Sequence, residues 1–94
     1  MTDGEHIEYY HSGGILSRIN YLCGINNGEC IYYYETGEIS SIINYKDGRK
    51  NGESINYFKS GLILFMKYYI NNIKVSEFEW VSYNRNLKLE LLGL

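Results

Sequence analysis

The stretch Gly28-Glu29-Cys30-Ile31-Tyr32-Tyr33-Tyr34-Glu35-Thr36-Gly37-Glu38-Ile39-Ser40-Ser41-Ile42-Ile43-Asn44-Tyr45-Lys46-Asp47-Gly48-Arg49-Lys50-Asn51 is one period of a repeat, and it decides the fold. Moving 24 residues in either direction recovers the same framework without insertion or deletion. Gly4-Glu5, Gly28-Glu29 and Gly52-Glu53 align, as do Tyr9-Tyr10, Tyr33-Tyr34 and Tyr57-Phe58. So do Gly13, Gly37 and Gly61, then Ile15, Ile39 and Ile63, then Tyr21, Tyr45 and Tyr69. Self-similarity at a fixed period is the mark of a repeat architecture, in which each unit is stabilised mainly by stacking on its neighbours.

Inside the unit, residues 29–35 and 39–45 alternate apolar with polar side chains, as half-buried strands do. Tyr34-Glu35-Thr36-Gly37-Glu38 between them reads as a three-residue hairpin loop whose last loop position needs positive φ and is therefore Gly. That loop pairs Tyr33 with Ile39, and equally Tyr9 with Ile15 and Tyr57 with Ile63. With a side-chain period of two and an even repeat, one face is expected to carry four sets of residues. These are Ile7, Ile31 and Ile55; Tyr9, Tyr33 and Tyr57; Ile15, Ile39 and Ile63; and Tyr21, Tyr45 and Tyr69. Tyr10, Tyr34 and Phe58 fall on the more polar side. The second connection holds Asp47-Gly48 and Asn51-Gly52, which are turn signals.

The third unit drifts. Asn71-Asn72 replaces Asp-Gly, and Leu62-Ile63-Leu64-Phe65-Met66 makes both faces of its second strand apolar, so that something should cover it. A degenerate fourth unit is expected, with Ser76–Tyr83 as one strand, Asn84-Arg85-Asn86 as a turn and Leu87–Leu92 as another; Leu87–Leu92 is compatible with a helix too, but its strict alternation and the hairpin spacing favour strand. The expected fold is all-β: tandem hairpins in a twisted single-layer antiparallel meander, closed by an atypical C-terminal strand pair. The units run over 4–27, 28–51 and 52–75, with the cap at 76–94. Trp80 and the leucines either close the stack or, as an edge over Leu87–Leu94, join two copies of the chain.

Composition narrows the function classes. The chain has 94 residues, 11 of them Tyr, with no Pro and a formal charge of −2. Its scattered Lys and Arg form no cationic footprint of the kind a phosphate backbone requires, which argues against nucleic acid. No apolar run approaches a membrane span, and the Met1-Thr2-Asp3-Gly4 start resembles no targeting segment. A cytoplasmic protein is expected, or one in the host cytoplasm if the Asn-, Ile-, Lys- and Tyr-rich usage reflects a large DNA virus and not a bacterium.

Candidate reactive groups do not converge. His6 and Cys30 share a repeat position, but an intervening strand would hold their backbones roughly 10 Å apart, too far for a nucleophile and its base. His6, His11, Cys23 and Cys30 lack paired metal-ligand spacing. Cys23 and Cys30 correspond to Asp47 and Ser54 one unit later, so both read as free thiols outside the framework. Glu5, Glu29, Glu53 and Glu77 form a row whose members stand two strands apart. No catalytic residue, cofactor or metal is expected. Tyr9, Tyr33 and Tyr57 read as structural, whereas Tyr10, Tyr32, Tyr34 and Phe58 are the candidate partner-binding residues, since Tyr joins a large apolar ring to a polar tip.

Tyr9-Tyr10-His11-Ser12-Gly13-Gly14-Ile15 followed by Tyr21-Leu22-Cys23-Gly24-Ile25-Asn26-Asn27-Gly28-Glu29 resembles the MORN repeat, and more closely its variant form. The second unit supplies Tyr33-Tyr34-Glu35-Thr36-Gly37-Glu38-Ile39 and Tyr45-Lys46-Asp47-Gly48-Arg49-Lys50-Asn51-Gly52-Glu53, and the match extends to about residue 75. The resemblance implies a hairpin-repeat sheet used for binding. That class includes eukaryotic scaffolds, membrane-associated proteins and bacterial immunity or antitoxin-type proteins that neutralise a partner. It implies no enzymatic activity. A protein partner is the first expectation, and a peripheral membrane or phospholipid-associated scaffold is the alternative.

Overall fold

A computed structural model describes residues 3–93. Among them, eight strands form one antiparallel sheet: β1 (Gly4–Tyr9), β2 (Ile15–Leu22), β3 (Ile25–Asn26), β4 (Gly28–Tyr33), β5 (Ile39–Lys46), β6 (Arg49–Tyr57), β7 (Ile63–Ile70) and β8 (Ile73–Val75). They follow in the order β1-β2-β4-β5-β6-β7-β8, with β3 also pairing with β2, so the sheet is an open meander. The molecule measures 52 × 35 × 21 Å, as befits a single layer. Only Cys30 and Ser17 have side chains about 1% exposed, so no two-layer core exists among the described residues.

Each unit contributes two tight connections. Tyr34 N–H donates to the Glu38 carbonyl at 2.8 Å and Gly37 N–H to the Tyr34 carbonyl at 2.9 Å, with Gly37 at φ +106°, which is the expected three-residue loop. The other connection is shorter than the sequence suggests. Cys23-Gly24, Asp47-Gly48 and Asn71-Asn72 are two-residue turns with φ positive at both positions, bracketed by the pairs Leu22–Ile25, Lys46–Arg49 and Ile70–Ile73. This is the primed turn whose twist matches the flanking strands. Asp and Asn tolerate such φ; Cys23, at +53°, does not share their local hydrogen-bonding options. Cys23→Asn is therefore expected to stabilise the fold by about 0.5–1 kcal/mol. A urea midpoint that stays put or falls would refute this.

The pairings Tyr9–Ile15, Tyr33–Ile39 and Tyr57–Ile63 form as expected. One step later each hairpin takes in an extra residue, Leu16, Ser40 or Leu64, as a β-bulge: Tyr32 pairs with Ser41 while Tyr33 pairs with Ile39. A one-residue shift exchanges the faces of everything beyond it. The expectation that Tyr21, Tyr45 and Tyr69 share a face with Ile7, Ile31 and Ile55 is therefore corrected. Ile7, Arg18, Ile31, Ile42, Ile55 and Met66 run across one side as an isoleucine-rich face. The three tyrosines lie on the other, directly opposite glycines in the pairs Gly4–Tyr21, Gly28–Tyr45 and Gly52–Tyr69.

Neighbouring hairpins are tied by recurring hydrogen bonds. The side-chain oxygens of Asp3, Asn27 and Asn51 accept from the turn N–H groups of Cys23, Asp47 and Asn71 at 2.6, 3.1 and 3.2 Å. Asn20 and Asn44 donate to the carbonyls of Glu29 and Glu53 at 2.7 and 3.0 Å. The next periodic position after Asn51 is Val75, where this series ends.

The expected terminal strand pair does not form. Residues Glu77–Leu91 make a helix, α1, so the fold is mostly antiparallel β with one C-terminal helix. Ser76 caps it: its hydroxyl accepts from Glu79 N–H at 3.0 Å while the Glu79 carboxylate accepts from Ser76 N–H at 3.1 Å. This reciprocal box, with Glu77 and Glu79 in the first turn and Lys88 in the last, starts the helix where the chain would otherwise have extended along β7. Trp80 then stacks on Tyr68 at 6.2 Å between ring centroids, and Tyr83 on Trp80 at 6.2 Å. Leu87, Leu89 and Leu91 on α1, and Leu92 at its C-cap, are exposed and make no edge strand; Leu94, like Met1 and Thr2, lies outside the described residues.

Candidate functional site

The face bearing Tyr21, Tyr45 and Tyr69 is the most organised surface of the molecule. Its rows follow from the register: Glu8, Ser17, Tyr32, Ser41, Asn56 and Phe65 form one, and Cys30, Ile43, Ser54 and Lys67 part of the next. Small residues sit in the trough between the rings, which is why Ser17 and Cys30 are buried in a sheet one layer thick. Burial raises the Cys30 thiol above its ordinary range. Loss of water, foremost, also raises the hydroxyls of Tyr32 and Tyr45, with Cys30 as a neighbouring contributor in both cases. These phenols thus remain neutral donors. Ser17 Oγ is buried without a protein partner. Lys50 lies 5.1 Å from the Tyr69 ring centre and adds a cation to the rim.

The predicted contact residues separate into two groups. Tyr10 and Tyr34 have a structural task, because each hydroxyl donates to a carbonyl of the following hairpin, Tyr33 and Tyr57 respectively, at 2.5 Å. Tyr34 also carries Lys59 above its ring at 5.7 Å. Phe58 holds the same position in the third unit, where no further hairpin presents a carbonyl, and it is exposed. Tyr32 lines the trough with Ser17 and Ser41. Strict alternation in the sequence assigns Tyr21, Tyr45 and Tyr69 to the isoleucine-bearing face, and the extra residue in each hairpin moves them to the trough.

The reactive candidates stay apart. His6 makes an edge-on contact with Tyr21 at 6.3 Å and lies 4.0 Å from Glu8, while β2 stands between β1 and the strand carrying Cys30. Glu5 pairs with Arg18 at 2.7 Å, and the hydrogen bonds that the guanidinium donates to Tyr33 and Glu5 hold it charged. Cys23 and Cys30 are both free. Among the described residues, no group of three or more His, Cys, Asp or Glu side chains is placed to hold a metal ion, and no helix is long and apolar enough to cross a membrane. An open polar cleft of about 400 Å³ lies between the turns and α1, lined by Lys46, Asp47, Arg49, Asn51, Asn71 and Tyr83. It combines cations, a carboxylate and amides without a buried nucleophile.

No protein-family model, curated protein or solved structure matches this chain.

Proposed function

We propose that this chain is a non-enzymatic, MORN-like hairpin-repeat module that binds a protein partner through its tyrosine face, in the manner of an immunity or antitoxin-type protein. The observation that carries this reading is the trough of Tyr21, Tyr32, Tyr45 and Tyr69 laid over glycine and small side chains. Strand-borne tyrosines lose little conformational freedom on binding, and they offer both ring area and a neutral donor. Rows of like residues suit recognition of an extended surface, whereas catalysis needs unlike groups converging within hydrogen-bond reach. The exposed helix carries Glu77, Glu79 and Glu90 against Arg85 and Lys88, a balance that favours a protein partner over an anionic bilayer.

Affinity capture with the immobilised chain tests the proposal. Replacing Tyr32 and Tyr45 together by Ala is expected to weaken capture of the bound protein by roughly 30-fold or more, the loss of about 2 kcal/mol that defines a hot spot. The far-UV circular dichroism should stay native. Undiminished capture by the folded double variant would remove the trough from the interface, and turnover abolished by Cys30→Ala would replace the binding role with an enzymatic one.

A further inference from the structure

The middle two-residue turn differs from its two neighbours in the side chains that bracket it. The bracketing pairs are Leu22–Ile25, Lys46–Arg49 and Ile70–Ile73, so apolar residues serve in the outer units and two cations in the middle one. Like charges set directly opposite, with Cβ atoms roughly 4.5–5.5 Å apart, weaken a strand pair. The turn does not require them, since the same geometry forms between apolar residues in the other two units. Nor are they neutralised: the ion pairs among the described residues are Glu5–Arg18 and His6–Glu8, and Lys46 and Arg49 belong to neither.

Both cations line the polar cleft of about 400 Å³ between the turns and α1. Lys46 follows Tyr45 in β5, so it and its partner Arg49 project from the face opposite the trough. That is the face on which Trp80 stacks on Tyr68 and brings the half-buried Tyr83 to the cleft wall. Asn51 Oδ1 accepts from Asn71 N–H at 3.2 Å, which leaves the amide nitrogen of Asn51 as a donor. Asp47 is the one carboxylate of the lining, and its type answers to the turn, where it precedes Gly48 at φ +51°. We infer that this cleft binds the oxyanion, carboxylate or phosphate, of a small soluble ligand. Arg49 offers a planar fork to two oxygens and Lys46 a point charge, while the amides of Asn51 and Asn71 and the Tyr83 hydroxyl supply neutral donors. The volume is that of a small-molecule site. The inference does not rest on the proposed partner of the tyrosine face, which lies on the other side of the sheet.

Acetate and inorganic phosphate, each exchanged for chloride at constant ionic strength, test the inference through the amide resonances of the isotopically labelled chain. At least one of them should shift Lys46–Asn51, Asn71 and Tyr83 saturably, and the tighter of the two names the group the site prefers. Lys46→Leu with Arg49→Ile copies the bracket of the first turn, so the far-UV circular dichroism should stay native while binding weakens roughly tenfold or more. Asp47→Asn keeps a residue suited to positive φ and removes the repelling charge, so it should tighten binding roughly threefold. Shifts that do not saturate with either anion overturn the inference. So does binding undiminished in the folded double variant, or binding weakened by Asp47→Asn, which would mark a cation site. Capture by phosphatidic acid vesicles without binding of either free anion would also overturn it, because the ligand would then be a surface.

Discussion

Gly52→Ala is expected to destabilise the protein by about 2–4 kcal/mol, the combined scale of a forced backbone conformation and an overpacked contact. Gly52 sits at φ +113°, where side-chain-bearing residues are strained, and a Cβ there would stand 3.3 Å from Cβ of Asn44. Asn44 cannot retreat freely, because its amide donates to the Glu53 carbonyl. Gly61→Ala provides the contrast: its φ is +94°, but nothing lies within 4 Å of the added carbon. That substitution should cost about 1–2 kcal/mol from backbone strain alone. Urea unfolding of both variants separates the two contributions, and equal midpoints would show that the Asn44 contact does not matter.

The second large effect is expected from Tyr34→Phe, which should cost about 1–3 kcal/mol because it leaves a part-buried carbonyl at Tyr57 without its donor. Repeat sheets derive much of their stability from contacts between neighbouring units, so the loss should appear as weakened coupling between the second and third hairpins. Hydrogen exchange of β6 and β7 amides should accelerate more than that of β1 and β2. Phe58→Tyr is the matched reverse change and should be near neutral, since no fourth hairpin offers a carbonyl to its hydroxyl. An unaltered melting temperature for Tyr34→Phe would mean that the hydroxyl is solvated equally well when unlinked.

The contrast between Tyr34 and Phe58 shows why the candidate site was only partly legible. In the sequence, Tyr10, Tyr34 and Phe58 are one series on a polar side, and an aromatic row there reads as a contact surface. The hydroxyl bonds that turn two of its members into ties between hairpins require the distance from one hairpin to the carbonyl of the next, which spacing along the chain does not contain. Tyr32 was visible as a candidate, but its companions Tyr21, Tyr45 and Tyr69 were assigned to the opposite face. A single inserted residue per hairpin, Leu16, Ser40 or Leu64, carries no compositional mark of its own. Side chains alternate with a period of two, and so a bulge of one residue reverses every assignment beyond it.

The C-terminal region failed for a different reason. Leu87-Lys88-Leu89-Glu90-Leu91 alternates as a strand would, and the periodicity of three preceding units suggested a fourth. A local signal pointed the other way: Ser76-Glu77-Phe78-Glu79 has the spacing of a capping box, with two carboxylates at the positive end of a helix dipole. Once the first turn forms, Trp80 is placed to stack on Tyr68, and that contact exists only because β7 is already the last long strand of the sheet.

The sequence by itself determined the period, the hairpin loops and the pairing next to each loop, because glycine at positive φ and two-residue turns are enforced by sterics within a few bonds. Only the tertiary structure decided which face each tyrosine occupies and which hydroxyls tie hairpin to hairpin. These depend on register and on distances between segments a full repeat apart. There, small shifts add up and no single residue carries the information.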